Sequence, residues 1–459
     1  MLQRLDNPPR PVLFYLHALG SSRRAIEAVG ARLEAEFEVV GIDLPGFGDA
    51  PAALGLSVAE MVAHVAGAIR AHGATRWLLA GHSMGGKVAT LVAARALAGD
   101  AGLFGLAGIV LLAGSPPSPE PMDEARRERM LGWASAGPLD PAAAREFIDG
   151  NVGAALDPRH EALATRDLLR TTREAWLAWL ERGSREDWSA EAGRLDLPAL
   201  VLAGGEDGDL GPDGQRRVNG PVYPRARFEV LEGAGHLLPL ERPAEVAEAI
   251  LRFWRREAGA GPRIPTDFAR LIASDRVSAR SRAILARRAL ADDPDYRPKA
   301  LTTAQLDTLR AVAARTVPQD MGGAAIDLAA RVEAGLASGK GDGWRLAALP
   351  PDVEAYRAAL DGLADFGALG EAEQDARLAA LVAGTFEPAA GGLSAAQMQG
   401  WFADARTDLV RQWLAHPATM ARIGFDGFAN GGDGPRKQGF ERLAAGEREG
   451  WEPAMEGVR

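Results

Sequence analysis

The residues most suited to chemistry lie in the pentapeptide Gly-His-Ser-Met-Gly at 81–85. It fits the pattern G-x-S-x-G, in which Gly81 and Gly85 permit a sharp, strained turn around Ser83. A strand-like apolar run precedes the turn and a helical pattern follows it. Such a unit exposes the serine hydroxyl at the carboxyl end of a sheet, above a helix N-terminus that favours negative charge. The sequence therefore predicts that Ser83 is a nucleophile rather than a turn serine.

Two later loops supply the base and the acid that such a serine requires. His236 follows a strand-like run, and in this position it would take the Ser83 proton and return it to the leaving group. Asp207 follows another strand-like run and would hold the imidazole tautomer. Asp209 and Glu206 are close competitors for the role of the acid. The order nucleophile, acid, base along the chain is that of a known catalytic triad.

The segment Phe-Tyr-Leu-His-Ala-Leu-Gly at 14–20 predicts the remaining part of an acyl-transfer site. It reads as a strand that ends at His17, beside the predicted turn. The backbone N–H of Leu19, together with that of Met84, would bind the developing oxyanion.

Composition narrows the class of protein. The 459 residues carry a formal charge of −10, which argues against a nucleic-acid or anionic-membrane partner. The absence of cysteine excludes disulfides and thiolate metal sites, and we predict no metal and no cofactor. Without a signal-like N-terminus or an apolar run of about 20 residues, the expectation is a soluble cytoplasmic protein, periplasmic only if exported with a partner.

Apolar strand-like runs alternate with helical patterns over residues 11–257. This alternation predicts an α/β domain with a mostly parallel sheet covered by helices. The alternation stops at 115–195, where helical patterns alone occur, including one over 163–180. A segment of this length predicts an inserted helical lid. Its four tryptophans would form the core of the lid, and some would line a pocket; they are Trp133, Trp176, Trp179 and Trp188.

As a set, four stretches of residues 11–257 resemble the α/β-hydrolase superfamily of the esterase and lipase type. They are LHALG, DLPGFGDAP, GHSMGGKVA and GAGHLLPLERP. One departure is Ala18, where the superfamily usually has glycine, a mild change because the backbone N–H has the role. The resemblance implies cleavage of esters, thioesters, lactones or amides, and cofactor-free perhydrolase chemistry is also compatible with it.

The second half of the chain reads as a separate all-α domain at 265–459, after a small-residue linker at 258–264. Its segments at 296–319, 336–363 and 414–430 resemble the gluconate 2-dehydrogenase subunit 3 family. The segment EGWEP at 449–453 adds to this resemblance. That family is the small helical subunit of flavin-dependent sugar or alcohol dehydrogenases, so the resemblance implies docking on such an enzyme.

Together these patterns predict a serine hydrolase for carboxylic esters or lactones, with a helical domain for docking on a dehydrogenase. Sugar dehydrogenases of this kind release lactones, which a serine hydrolase would open. The alternative hypothesis is a non-catalytic assembly or chaperone subunit that uses the hydrolase domain as a scaffold.

Overall fold

A computed structural model describes residues 9–319, 324–339, 346–388 and 392–434, together with positions 442, 444 and 447. Parts of two stretches that carry the subunit 3 resemblance, at 340–345 and 449–453, lie outside the described residues. Within the described part of the chain, no helix is both long enough and apolar enough to cross a bilayer.

Six parallel strands form one sheet in the described residues, in the order β2-β1-β3-β4-β5-β6. The strands are β1 Val12–Leu16, β2 Glu38–Ile42, β3 Trp77–His82, β4 Leu106–Leu112, β5 Ala199–Gly204 and β6 Ala226–Leu231. The central strands β1 and β3 are buried along their whole length, as expected when helices cover both faces of a parallel sheet. The expected α/β class is confirmed.

Helices follow most strands and cover the sheet. They are α1 Glu27–Leu33, α2 Val58–His72, α3 Met84–Ala98, α9 Pro212–Asn219, α10 Leu238–Glu241 and α11 Pro243–Phe253. Helix α3 begins directly after Ser83 and is buried over nearly its whole first half. The carboxyl end of β3 and the N-terminus of α3 therefore meet at the predicted nucleophile.

The inserted lid lies between β4 and β5. Its helices are α4 Glu124–Trp133, α5 Pro141–Asp149, α6 Pro158–Arg170, α7 Arg173–Ala178 and α8 Ser189–Ala192, with a π-helical turn at Trp179–Gly183. The prediction of one continuous helix over 163–180 is wrong. The chain breaks at Thr171 and Thr172, because the Thr172 side chain accepts a hydrogen bond from the Ala175 N–H and starts a new helix.

The chain divides into two compact units. The first comprises the described residues of 1–259, 265–290 and 426–459, and the second those of 260–264 and 291–425. The first unit therefore includes helices α12 Thr266–Ala273 and α13 Ala279–Ala289, which the sequence assigns to the second domain. Within that unit the Arg282 Nε donates to the Gly99 carbonyl at 2.6 Å and links α13 to the end of α3.

All the regular secondary structure of the second unit is helical within its described residues. Its helices are α14 Thr303–Thr316, α15 Leu328–Ser338, α16 Asp352–Asp361, α17 Glu371–Ala383, α18 Ala395–Leu414 and α19 Pro417–Ile423. They enclose a core of their own, in which Leu309, Phe366 and Trp401 are fully or almost fully buried. The predicted helical character of the C-terminal region is confirmed.

Candidate active site

The turn at Ser83 is strained in the way a nucleophile elbow requires. Ser83 has φ 48° and ψ −119°, a conformation that L-residues rarely adopt. A Cβ on Gly81 would lie 2.5 Å from the Gly85 carbonyl oxygen, and one on Gly85 would lie 2.5 Å from that of Leu16. Both glycines are therefore required for the close approach of the backbone around the serine.

A narrow cavity of about 40 Å³ brings the predicted site residues together. Ser83, His236, Asp207 and Leu19 all line it, as does Trp179 from the lid. This volume suffices for a few waters only.

His236 and Asp207 are joined by a hydrogen bond of 2.7 Å between Nδ1 and Oδ2. The two side chains are only 12% and 6% exposed. Asp209 instead accepts a hydrogen bond from the Asp123 N–H at 3.3 Å, and Glu206 is exposed. Of the three acidic candidates, Asp207 is the one whose carboxylate contacts the histidine.

The pKa values of this pair move in opposite directions. Burial alone would lower the pKa of His236, but the charge and hydrogen bond of Asp207 outweigh it and raise that pKa above 6.5. Burial alone would raise the pKa of Asp207, yet its interaction with His236 holds the pKa below the ordinary value. Asp207 is thus ionised at neutral pH, and it favours the imidazolium of His236.

The backbone of His236 is fixed on both sides. Its N–H donates to the Asn151 carbonyl at 2.7 Å, and its carbonyl lies 2.8 Å from Nε2 of His82. Burial, reinforced by the charge of His236, lowers the pKa of His82 to about 3. His82 is therefore neutral and donates from Nε2 to the His236 carbonyl. The residue before Ser83 thus positions the loop that carries His236.

His17 orients the segment that carries the second predicted oxyanion donor. Its Nε2 accepts from the Leu44 N–H at 2.9 Å, so Nδ1 carries the proton and donates to the Ala18 carbonyl at 2.8 Å. Because the C=O and N–H of a trans peptide point in opposite directions, the Leu19 N–H is turned away from His17. Within the described residues, neither Leu19 nor Met84 donates its N–H to another protein group.

Ser83 Oγ makes no hydrogen bond within the described part of the chain, so its expected contact with His236 is not formed. Such contacts are often long in ligand-free enzymes and tighten when substrate binds. Ser83 is 7% exposed at the wall of the cavity.

Several residues of the site carry no recognisable signal in the sequence. The lid contributes Arg126, Asn151 and Glu120 to the cavity. Glu120 accepts a hydrogen bond of 2.6 Å from the Ser115 hydroxyl. The helical patterns of 115–195 predict a helical lid, but they do not show which of its charged residues lie near Ser83.

Lys87, four residues after Ser83, connects helix α3 to the lid. Its side chain is fully buried, and Nζ donates to the carbonyls of Gly183 at 3.0 Å and Glu186 at 2.8 Å. Nζ also lies 5.7 Å from the centre of the Trp179 ring. Burial lowers the pKa of Lys87 to about 8.

The fold agrees with the family to which the sequence comparison assigns the chain. The model of the alpha/beta hydrolase family matches residues 13–249, more than half of the chain, and the protein belongs to that family. A curated relative, 2-succinyl-6-hydroxy-2,4-cyclohexadiene-1-carboxylate synthase of Serratia proteamaculans, is 27% identical over 261 residues, covering 53% of this chain and 93% of the relative.

Two solved esterase structures are similar to the same half of the chain. The esterase of Exiguobacterium antarcticum has a TM-score of 0.48 at 18% identity, covering 54% of this chain and 92% of the esterase. The malate-bound esterase of Thermogutta terrifontis has a TM-score of 0.46 at 26% identity, with coverages of 54% and 90%.

Proposed function

We propose that the protein is a serine hydrolase that cleaves carboxylic esters or lactones through an acyl-enzyme. The observation that carries this proposal is the 2.7 Å bond from His236 to Asp207 in a cavity that Ser83 lines from a strained elbow. Membership of the alpha/beta hydrolase family supports a hydrolytic reaction.

In this mechanism His236 Nδ1 donates to Asp207, which leaves Nε2 free to accept the Ser83 proton. Ser83 Oγ attacks the ester carbonyl, and the oxyanion is bound by the N–H groups of Leu19 and Met84. His236 then gives its proton to the leaving alcohol. Water, deprotonated by the same imidazole, attacks the acyl-enzyme and releases the acid.

The test is a panel of esters and lactones on the wild type and on Ser83→Ala, combined with labelling by a fluorophosphonate. We expect labelling of the wild type, and a fall in kcat of several orders of magnitude in Ser83→Ala with the fold retained. Ser115→Ala is the matched control, because Ser115 is another buried serine beside the elbow. It should keep the labelling.

Folded wild-type protein that takes no label and turns over no substrate would favour the scaffold hypothesis. Turnover of acyl esters without turnover of sugar lactones would reject the lactonase role and leave a general carboxylesterase.

The docking of the helical domain on a flavin-dependent dehydrogenase is part of the same proposal and depends on the resemblance of 265–459 alone. Its test is purification of the tagged full chain from its native cells. A stoichiometric partner with flavin absorbance would support docking, whereas elution of the chain as a monomer would contradict it.

A further inference from the structure

Arg126 lines the cavity at Ser83 and, within the described residues, has no carboxylate partner. Arg126 lines the cavity together with Ser83 and His236. Its hydrogen bond goes to a neutral acceptor, Asn151 Oδ1, at 2.7 Å. Asn151 is itself held, because its Nδ2 donates to the Phe147 carbonyl at 2.7 Å. The amide of Asn151 thus orients the side chain of Arg126 without neutralising its positive charge.

Neighbouring arginines of the lid differ in this respect. Arg129 lies 3.5 Å from Glu146, and Arg145 lies 3.0 Å from Asp149. Within the described residues, no ion pair includes Arg126. A partly buried charge in a cleft that has no counter-charge in the protein marks a candidate site for a ligand of opposite charge.

Arg126 also lies where the catalytic cavity meets a wider groove on the lid. This groove has a volume of about 760 Å³ and runs between α4 and α5. Four residues line both spaces: Arg126, Met130, Phe147 and Asn151. The groove therefore adjoins the cavity at Ser83, and Arg126 lines both spaces.

The acidic residues of the cavity each have another partner. Asp207 is bonded to His236, Glu120 accepts from Ser115, and Asp209 accepts from the Asp123 N–H at the start of α4. None of them lies within ion-pair distance of Arg126 in the described structure.

We propose that Arg126 is a specificity-determining residue that binds a carboxylate carried by the substrate, so that the protein prefers esters of dicarboxylic acids. The inference rests on the proposed serine hydrolase activity. The reaction remains the proposed hydrolysis of an ester through the acyl-enzyme on Ser83. The second carboxylate of the substrate stays bound to the Arg126 guanidinium throughout.

The test compares two esters that differ only in the distal group, mono-4-nitrophenyl glutarate and 4-nitrophenyl pentanoate. We expect the wild type to prefer the glutarate ester, and Arg126→Gln to lower the ratio of the two kcat/KM values by about tenfold to a hundredfold, mainly through KM. The ratio cancels any effect of Arg126 on His236 that both esters share. Arg126→Lys should restore part of the preference.

Arg129→Gln is the matched control, because it removes an arginine of the same groove that already has a carboxylate partner. It should leave the ratio at the wild-type value. Equal loss on both esters in Arg126→Gln, or a wild type without preference for glutarate, would overturn the proposal.

Binding keeps this test separate from that of the proposed function. Calorimetric titration of glutarate into folded Ser83→Ala should show binding that is lost in Ser83→Ala/Arg126→Gln. If the wild type proved inactive, glutarate binding that depends on Arg126 would still support the anion site, and its absence would reject it.

Discussion

At the scale of single residues, the candidate site depends on the negative charge of Asp207 beside the imidazole of His236. Asp207 raises the pKa of His236 against the effect of burial. A general base accepts protons only in its neutral form, so kcat/KM should fall as the pH is lowered through this raised pKa. The position of that fall reports directly on the carboxylate.

Asp207→Asn should move the acid limb of the kcat/KM profile to lower pH, because burial alone lowers the pKa of His236. The plateau should fall by about 10³- to 10⁴-fold, since an amide no longer stabilises the imidazolium or its tautomer. Steady-state kinetics across the pH range measure both effects.

Asp209→Asn is the control for this prediction, because Asp209 bonds the Asp123 N–H rather than the histidine. Its acid limb should coincide with that of the wild type. A shift in Asp209→Asn without one in Asp207→Asn would reassign the acid.

At the scale of elements, Lys87 of helix α3 connects the lid to the turn at Ser83. The Lys87 ammonium donates hydrogen bonds to the carbonyls of Gly183 and Glu186, in the segment that follows Trp179. Trp179 lines the cavity at Ser83. Burial lowers the pKa of Lys87, and Arg127 acts in the same direction. Together they outweigh the charges of Glu120, Glu186 and Asp187, which raise that pKa. Deprotonation leaves two N–H donors, which is the number that the two carbonyls require.

This burial predicts a pH-dependent contribution to stability. The pKa of Lys87 is 10.5 in the unfolded chain and about 8 in the fold, so the unfolded state binds more protons between these values. The penalty for burying the charge is present below pH 8 and is relieved as the pH rises. The free energy of unfolding of the wild type should therefore increase relative to that of Lys87→Met, by on the order of 2 kcal/mol between about pH 8 and pH 10.

Denaturant unfolding of both proteins at the two pH values measures this difference. Lys87→Arg is a second reference, because arginine does not titrate in this range. The free energy of unfolding of the wild type should rise relative to that of Lys87→Arg by the same amount. A difference that is constant with pH would contradict a lowered pKa of Lys87.

Elements were more predictable from the sequence than the site was. Each apolar run that predicts a strand begins and ends within two residues of the observed strand, because buried parallel strands require continuous apolar runs. These runs are 12–16, 37–42, 76–80, 108–112, 199–202 and 226–231. The break at Thr172 was missed, since an apolar helical pattern continues across it. Asp207, His236 and Ser83 carry local loop signals, whereas Arg126 and Asn151 reach the cavity only through the packing of the lid, which no local pattern encodes.

At the scale of the whole molecule, the chain contains two compact units, each with its own core. The sequence located the change from alternating to purely helical patterns. Residues 265–290, which the sequence assigns to the helical domain, belong to the first compact unit, and helical periodicity does not show which core a helix packs on.

Two cores predict two unfolding transitions in calorimetry. Leu309→Ala, at a fully buried position of the second unit, should lower the midpoint temperature of one transition. The free energy of unfolding of that unit should fall by about 2–5 kcal/mol, and ester hydrolysis should be unchanged. Leu200→Ala, at an equally buried position of β5, should lower the other. A single transition displaced by either change would show that the two units unfold together.

The strained backbone at Ser83 has a consequence for adaptation to heat. Positive φ is tolerated best by glycine, so the replacement that would relax this turn is the one that removes the hydroxyl. With Ser83 as the proposed nucleophile, selection for thermal stability alone would favour a more stable protein without activity. An engineer who seeks a heat-resistant catalyst must therefore leave the tension at the elbow in place and gain rigidity elsewhere, in the lid or in the second core.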